Sequence, residues 1–304
     1  MSHKPLTIAI TGANSGIGLR AAEQLAAKGH SVHALCRDTA RGEAALERVN
    51  SRATVPARLV VTDLADPASV RSAAAELTGE LDHLDVLIHN AAVFDQTMRE
   101  PRFTADGHEL FWATNHLGPH RLTAALSPLM AAAPAPRLVT VASKGLVTMP
   151  WIRIRFDELD SPRWYSPTKA YYHAKLAQVM LSLRLAQHAR GAVDVVCLRV
   201  PAVRLDADRV AAMPPLLRAL YAPKNRAALP PEQMARAYAR VATRPDPWND
   251  PADAGAGGRS ALRGVYLDER CRPVSAPSFA YGYEARERLW QVTQEETGHP
   301  EWAW

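Results

Sequence analysis

Tyr171 and Lys175 stand four residues apart in Tyr171-Tyr172-His173-Ala174-Lys175, a spacing that puts both side chains on one face of a helix. An ammonium beside a phenol favours the phenolate and lowers its pKa from about 10. Such a tyrosine can pass a proton near neutral pH. The spacing alone is weak, since two surface residues on a helix satisfy it equally. Ser143 strengthens it, because it follows the strand-like run Arg137-Leu138-Val139-Thr140-Val141 and precedes that helix. A second constellation lies at the start of the chain, Thr11-Gly12-Ala13-Asn14-Ser15-Gly16-Ile17-Gly18. It joins an apolar run, Leu6 to Ile10, to a helix-forming segment, Leu19 to Lys28, that stops at Gly29. A glycine-rich turn between strand and helix offers free backbone N–H groups and the positive end of the helix dipole to a phosphate. The spacing is G-x-x-x-G-x-G, so the dinucleotide fingerprint is met in context rather than in letter.

The rest of the chain reads as the scaffold for these groups. Apolar strand-like runs at Ser31–Cys36, 58–62, 86–88, 137–141, 193–198 and 264–267 alternate with helical segments at 39–50, 66–81, 106–130 and 167–189. Asp66-Pro67 reads as an N-cap followed by proline at the first helical position, and Gly118-Pro119 as a kink inside the 106–130 helix. Continuous apolar strands between helices indicate a doubly wound α/β fold, a parallel seven-stranded sheet covered on both faces. Ligands bind such sheets beyond the carboxyl ends of the strands, where the polar residues singled out here lie. Residues 201–262 are less regular and hold an apolar helical piece around Met213, Leu216, Leu217, Leu220 and Tyr221. We expect a single dinucleotide-binding domain over 1–304 with a substrate lid at about 201–262.

Composition sets outer bounds. The 304 residues are 47% hydrophobic, enough for a large core. The net charge of +5 comes without a run of like charge and gives no reason to expect a nucleic acid partner. Three widely spaced cysteines, Cys36, Cys197 and Cys271, suit a reducing compartment better than a disulfide framework or metal site. No uninterrupted apolar stretch has the length of a membrane span, and Met1 to Pro5 does not read as a signal peptide. A cytoplasmic location is the expectation.

Cofactor choice should be written at the end of the second strand, about twenty residues past the glycine turn. An acidic residue there would select NAD. The strand instead ends Cys36-Arg37, and a guanidinium can pair with a ribose 2′-phosphate. NADP(H) is therefore favoured over NAD. Asp38 is an NAD determinant set one residue late, or the N-cap of the next helix; Arg41 adds to phosphate binding or is a solvated helix residue. Asp63 either accepts from the adenine amino group or caps a turn.

With these residues in place, the chain resembles the short-chain dehydrogenase/reductase family, and within it the retinol dehydrogenase and WW-domain oxidoreductase branch. The resemblance rests on the cofactor turn, on Asp63-Leu64, on Asn115-His116-Leu117-Gly118, and on Ala170-Tyr171 through Lys175-Leu176-Ala177. Arg288-Leu289-Trp290 and Glu296-Thr297-Gly298 extend it. It implies a catalytic set of Asn115, Ser143, Tyr171 and Lys175. Ser143 and Tyr171 would hydrogen-bond the substrate oxygen, with Tyr171 as general acid or base. Lys175 would bind the nicotinamide ribose, and Asn115 would kink its helix and hold a proton-relaying water. The cofactor-binding set it implies is Gly12, Asn14, Ser15, Gly16, Ile17, Gly18, Arg37, Asp63, Leu64, Asn90, Ala91, Tyr171, Lys175, Pro201 and Val203. Two departures stand out. The family's N-A-G becomes Asn90-Ala91-Ala92, and its P-G-x-V-x-T becomes Pro201-Ala202-Val203-Arg204-Leu205, without the glycine or the terminal hydroxyl.

Trp151, Trp164, Met213, Leu217 and Tyr221 either line a pocket for a bulky apolar substrate or pack the lid onto the domain. The expected activity is reduction of a ketone or aldehyde, or oxidation of the alcohol, on a lipophilic or polycyclic small molecule. A catalytically silent sensor or scaffold and a redox-neutral epimerase are the alternatives. The oligomeric state is not readable from the sequence; the 106–130 and 167–189 helices could pair across a two-fold in a homodimer.

Overall fold

The computed structural model describes residues 4–159, 163–189, 191–211, 213, 215–243 and 265–304. Seven parallel strands form one sheet in the order β3-β2-β1-β4-β5-β6-β7. They are β1 Thr7–Thr11, β2 Ser31–Cys36, β3 Arg58–Val61, β4 Val86–His89, β5 Arg137–Ser143, β6 Asp194–Val200 and β7 Tyr266–Leu267. The strand order reverses between β1 and β4, which opens a crevice at their carboxyl ends.

Side-chain alternation along the strands feeds two cores. Ile8, Ile10, Val86, Ile88 and Val139 point to one face, where α1 (Gly16–Ala26), α2 (Thr39–Asn50) and α9 (Pro231–Thr243) pack. Ala9, Leu87 and Leu138 point to the other, under α3 (Pro67–Glu80), α5 (Gly118–Ala131) and α6 (Pro167–His188). Helix α9 has no counterpart in the sequence reading. Its buried Met234, Ala235, Tyr238, Val241 and Ala242 fall at helical spacing, and the small Ala21, Ala22 and Ala26 of α1 let the two helices approach closely. The apolar piece near 213–221 is α8 (Pro215–Ala227), preceded by α7 (Ala207–Ala211). The side chains of Leu216, Leu217, Leu220 and Tyr221 lie outside the described residues, as do Gly264 and the 244–262 part of the expected lid.

One expectation needs correction. The 106–130 helix starts later, with α4 (Leu110–Trp112), and its irregularity is not at Gly118-Pro119. A π-helical stretch, Ala113–Leu117, precedes them, and Pro119 stands in the first turn of α5, where its missing N–H is harmless. A widened turn swallows one extra residue, so Asn115 is re-aimed without a proline kink. The chain's own C-terminal helix, α10 (Tyr283–Thr297), and the tail behind it pack against α5 and α6. Trp112 Nε1 donates to Glu296 at 2.7 Å, Arg121 to the Glu296 carbonyl at 2.8 Å, and Ala303 N to Ser127 Oγ at 3.0 Å. Trp290, Trp302 and Trp304 pack against the same core. No helix among the described residues is long and apolar enough to cross a membrane.

Candidate active site

The glycine turn sits at the sheet's switch point. Gly12 (φ +67°) and Gly16 (φ +55°) occupy the left-handed region, which strains any residue with a Cβ. A Cβ on Gly12 would meet Ala91 Cα at 2.9 Å, and one on Gly18 would collide with the Asn90 amide and lie 2.5 Å from the Gly12 carbonyl. Asn90, just past β4, ties the crevice shut from beneath: its amide donates to the Thr11 carbonyl at 3.0 Å and the Gly12 carbonyl at 3.2 Å. Ala91 N donates to Thr11 Oγ1 at 3.0 Å. The Asn90 oxygen accepts the Tyr238 hydroxyl at 3.2 Å. The sequence reading missed this tyrosine, whose only trace is an aromatic on the buried face of α9. The Cys36 thiol receives the Ala13 and Asn14 N–H groups from below, and burial pushes it up to about 11.

The turn fits an anionic cofactor. A Cβ on Gly16 would face open space, so this backbone presents itself outward. The N-cap residue, Ser15, makes no side-chain cap bond to α1, and the Gly16 N–H instead receives a carboxylate, Asp206 Oδ2, at 2.9 Å. An oxyanion at that N–H is what a helix N-terminus attracts.

Ser143 closes β5 and Tyr171 and Lys175 lie in the first turns of α6, so the strand-end rule brings all three together. Ser143 Oγ accepts from Gly145 N at 3.2 Å, and it stands near enough to the Tyr171 hydroxyl to lower that phenol's pKa. Phe94 lies over the Tyr171 ring, centroids 4.3 Å apart. Lys175 Nζ is 5.9 Å from the centre of that ring but donates inward, to the Val141 carbonyl at 2.7 Å and Gln178 Oε1 at 2.9 Å. The near partners of the ammonium are thus Val141 and Gln178 rather than the phenol. Burial, followed by Tyr172, raises the Tyr171 pKa, against a smaller lowering from Ser143. Burial also brings Lys175 down to about 8. Asn115 is engaged too: it accepts from Val93 N at 2.8 Å and donates to the Val93 carbonyl at 3.0 Å, which fixes the loop carrying Phe94. Gly118 is obligatory beside it, since a Cβ there would collide with the Leu64 carbonyl.

The remaining predicted residues rim the crevice. Arg37 and Arg41 are exposed past β2. Asp38 caps α2 through Arg41 N at 3.0 Å, so the capping reading of that residue holds. Asp63 Oδ1 accepts from Ala65 N at 2.9 Å, a turn-capping bond, and Leu64 is buried. Pro201 and Val203 belong to a segment braced against 225–229: Leu229 N donates to the Ala202 carbonyl at 3.0 Å and Leu205 N to Asn225 Oδ1 at 2.8 Å. Among the aromatics proposed for the pocket, Trp151 is 89% exposed and packs no lid. Trp164 lies tilted against the His173 ring, centroids 4.9 Å apart. A cavity of about 310 Å³ lined by Arg184, Gln187, His188 and Trp304 lies at the far end of α6 from Tyr171.

Residues 6–154 match the family model described as short chain dehydrogenase. Retinol dehydrogenase 12 of Homo sapiens is 33% identical over 295 residues, covering 96% of this chain and 86% of that protein. Retinol dehydrogenase 11 of Mus musculus is 37% identical over 185 residues, 60% of this chain and little over half, 56%, of that protein's length. Among solved structures, an uncharacterised protein from Mycobacterium Paratuberculosis superposes with a TM-score of 0.68 at 26% identity, covering 99% of this chain and 97% of that one. A short chain dehydrogenase from Escherichia coli CFT073, complexed with NADPH, gives 0.64 at 19% identity over 87% of this chain and 96% of that one.

Proposed function

The chain belongs to the short-chain dehydrogenase family of oxidoreductases, and we propose that it is an NADP(H)-dependent enzyme interconverting a carbonyl and an alcohol on a bulky lipophilic molecule. The observation that carries this reading is the meeting of Ser143, Tyr171 and Lys175 beside the glycine turn. Gly12, Asn14, Ser15, Gly16, Ile17 and Gly18 would cradle the pyrophosphate, Arg37 the 2′-phosphate, and Asp63 with Leu64 the adenine. Asn90, Ala91, Pro201 and Val203 would flank the nicotinamide end, and Lys175 its ribose. When bound, the nicotinamide supplies or accepts the hydride. Tyr171, raised by burial, keeps its proton at neutral pH. It can then donate to a carbonyl oxygen as negative charge grows there, with Ser143 as the second donor. A protonated phenol suits reduction. Asn115 acts through Val93 and so positions Phe94 over the reacting phenol. The relatives' names, retinol dehydrogenase, make a conjugated apolar aldehyde the first substrate to try.

The test is NADPH consumption with retinal and a panel of hydrophobic ketones. Tyr171→Phe is expected to cut turnover by about 10²-fold or more while NADPH affinity stays within twofold. Full turnover in that variant refutes the assigned acid. Ala92 and Ala202 favour a second reading, a nucleotide binder without net redox turnover. Stoichiometric NADPH binding with no consumption across the panel would select it.

A further inference from the structure

Asp206 occupies an unusual place. It lies just ahead of α7, where an aspartate would ordinarily cap its own helix, yet both of its oxygens reach across to α1. Oδ2 accepts the Gly16 N–H at 2.9 Å and lies 3.4 Å from Arg20 Nη1, and Oδ1 pairs with Arg20 Nη2 at 2.8 Å. The pair is mostly withdrawn from solvent, its side chains 16% and 21% exposed. Arg20 also leans on Glu232 of α9 at 3.4 Å, and Gln24 holds the Glu232 carbonyl at 3.1 Å. The segment delivering Asp206 is fixed immediately upstream by the Asn225 and Leu229 bonds to residues 202–205.

We infer that Asp206 is a built-in competitor for the phosphate cradle, and that Arg20 is the cation that pairs with Asp206 in its absence and with the dinucleotide's phosphates in its presence. This rests on the cofactor reading above. A carboxylate and a pyrophosphate cannot share one N–H and one guanidinium, since like charges at hydrogen-bonding distance repel strongly. Binding must therefore expel Asp206 from the Gly16 N–H and from Arg20 of α1. The apparent affinity is reduced by the fraction of molecules in which the cradle is already open. Arg20, one turn into α1 from Gly16, is then left facing the phosphates with its planar fork free of Asp206. The arrangement couples cofactor arrival to movement of the segment that leads into α7.

The experiment is NADPH titration of the full-length chain by fluorescence and calorimetry, with folding checked by circular dichroism. Asp206→Ala and Asp206→Asn are expected to tighten NADPH binding at least fivefold. Arg20→Gln placed on the Asp206→Ala background is expected to weaken it at least fivefold, while Glu232→Gln stays within twofold of the parent. If Asp206 is only a tertiary cap for α1, its removal lowers the melting temperature and leaves affinity unchanged or weaker, which overturns the proposal. Loss of Arg20 without effect on the Asp206→Ala background overturns it as well. Failure of folded wild type and Asp206→Ala alike to bind NADPH strikes instead at the cofactor reading, and the competitor role falls with it.

Discussion

Lowering the pH from 7.5 to 5.5 is expected to remove about 5 kcal/mol of folding stability, through four histidines that the fold keeps neutral. The hydrogen bonds fix which ring nitrogen carries hydrogen in three of them and the neutral form of the fourth. His89 Nε2 contacts Thr123 Oγ1 at 2.7 Å, and that hydroxyl already donates to the Pro119 carbonyl, so the imidazole must be the donor. The same holds for His116 against Thr293 and for His120 against Thr297, each hydroxyl donating to a carbonyl one turn back. His173 Nε2 accepts from Arg155 N at 3.0 Å, a bond that protonation would destroy. Burial is the leading cause in every case and brings His89, His120 and His173 down to about 3, with His116 also held well below 6.5. A base whose folded pKa is depressed leaves the native state uncharged while the unfolded chain takes up protons below 6.5. Stability is thus present above that value and lost as the pH falls towards 3. At pH 5.5 each unfolded histidine gains about 1.4 kcal/mol from protonation, so four sum to between 5 and 6. Glu109, raised by burial, offsets a part, and His33, also lowered, adds to the loss. Domains of ordinary stability hold only about 5–15 kcal/mol, so acid unfolding should begin near pH 5.5. Urea denaturation followed by tryptophan fluorescence at half-unit pH steps measures this, with a limiting slope near four protons per molecule. His173→Gln, whose amide oxygen can still accept from Arg155, should reduce the slope by about one proton. A change below about 1.5 kcal/mol between pH 7.5 and 5.5 would refute the reasoning.

Lys175 gives the alkaline counterpart: with its folded pKa near 8 instead of 10.5, burial of the ammonium opposes folding at pH 7 and ceases to as the pH rises. The stability of wild type relative to Lys175→Met should improve by about 1 kcal/mol from pH 7 to 9 in paired urea titrations; a constant difference would show the lysine to be unperturbed. Tyr238→Phe deprives half-buried Asn90 of a donor, and equilibrium unfolding should register a loss of about 1 kcal/mol. Gly18→Ala drives a methyl into the Asn90 amide and the Gly12 carbonyl and should cost about 1–3 kcal/mol in the same assay, together with weaker NADPH binding. Because α10 covers α5 and α6, light scattering on a sizing column should report one chain per particle. Truncation after Tyr281 should bare the apolar faces and cause association.

Local chemistry in the sequence was enough for the strands, the glycine turn and the grouping of Ser143 with Tyr171 and Lys175. Strand periodicity, a glycine-bearing turn and an i, i+4 spacing are short-range signals, and the parallel sheet then delivers every strand end to one edge. Asp38 as a cap was equally readable, because a cap is made within four residues. Tertiary structure alone decided what each charged group faces. Lys175 was expected to act on Tyr171, but the Val141 carbonyl and Gln178 engage its ammonium, and burial is the largest influence on the phenol. Asp206 reaches Gly16 across 190 positions of chain, and Tyr238 reaches Asn90 across 148. α10 returns from the end of the chain to pack on α5 and α6. Such contacts depend on which surfaces the folded chain brings together and on how much water it removes between them, quantities that no window of the sequence contains.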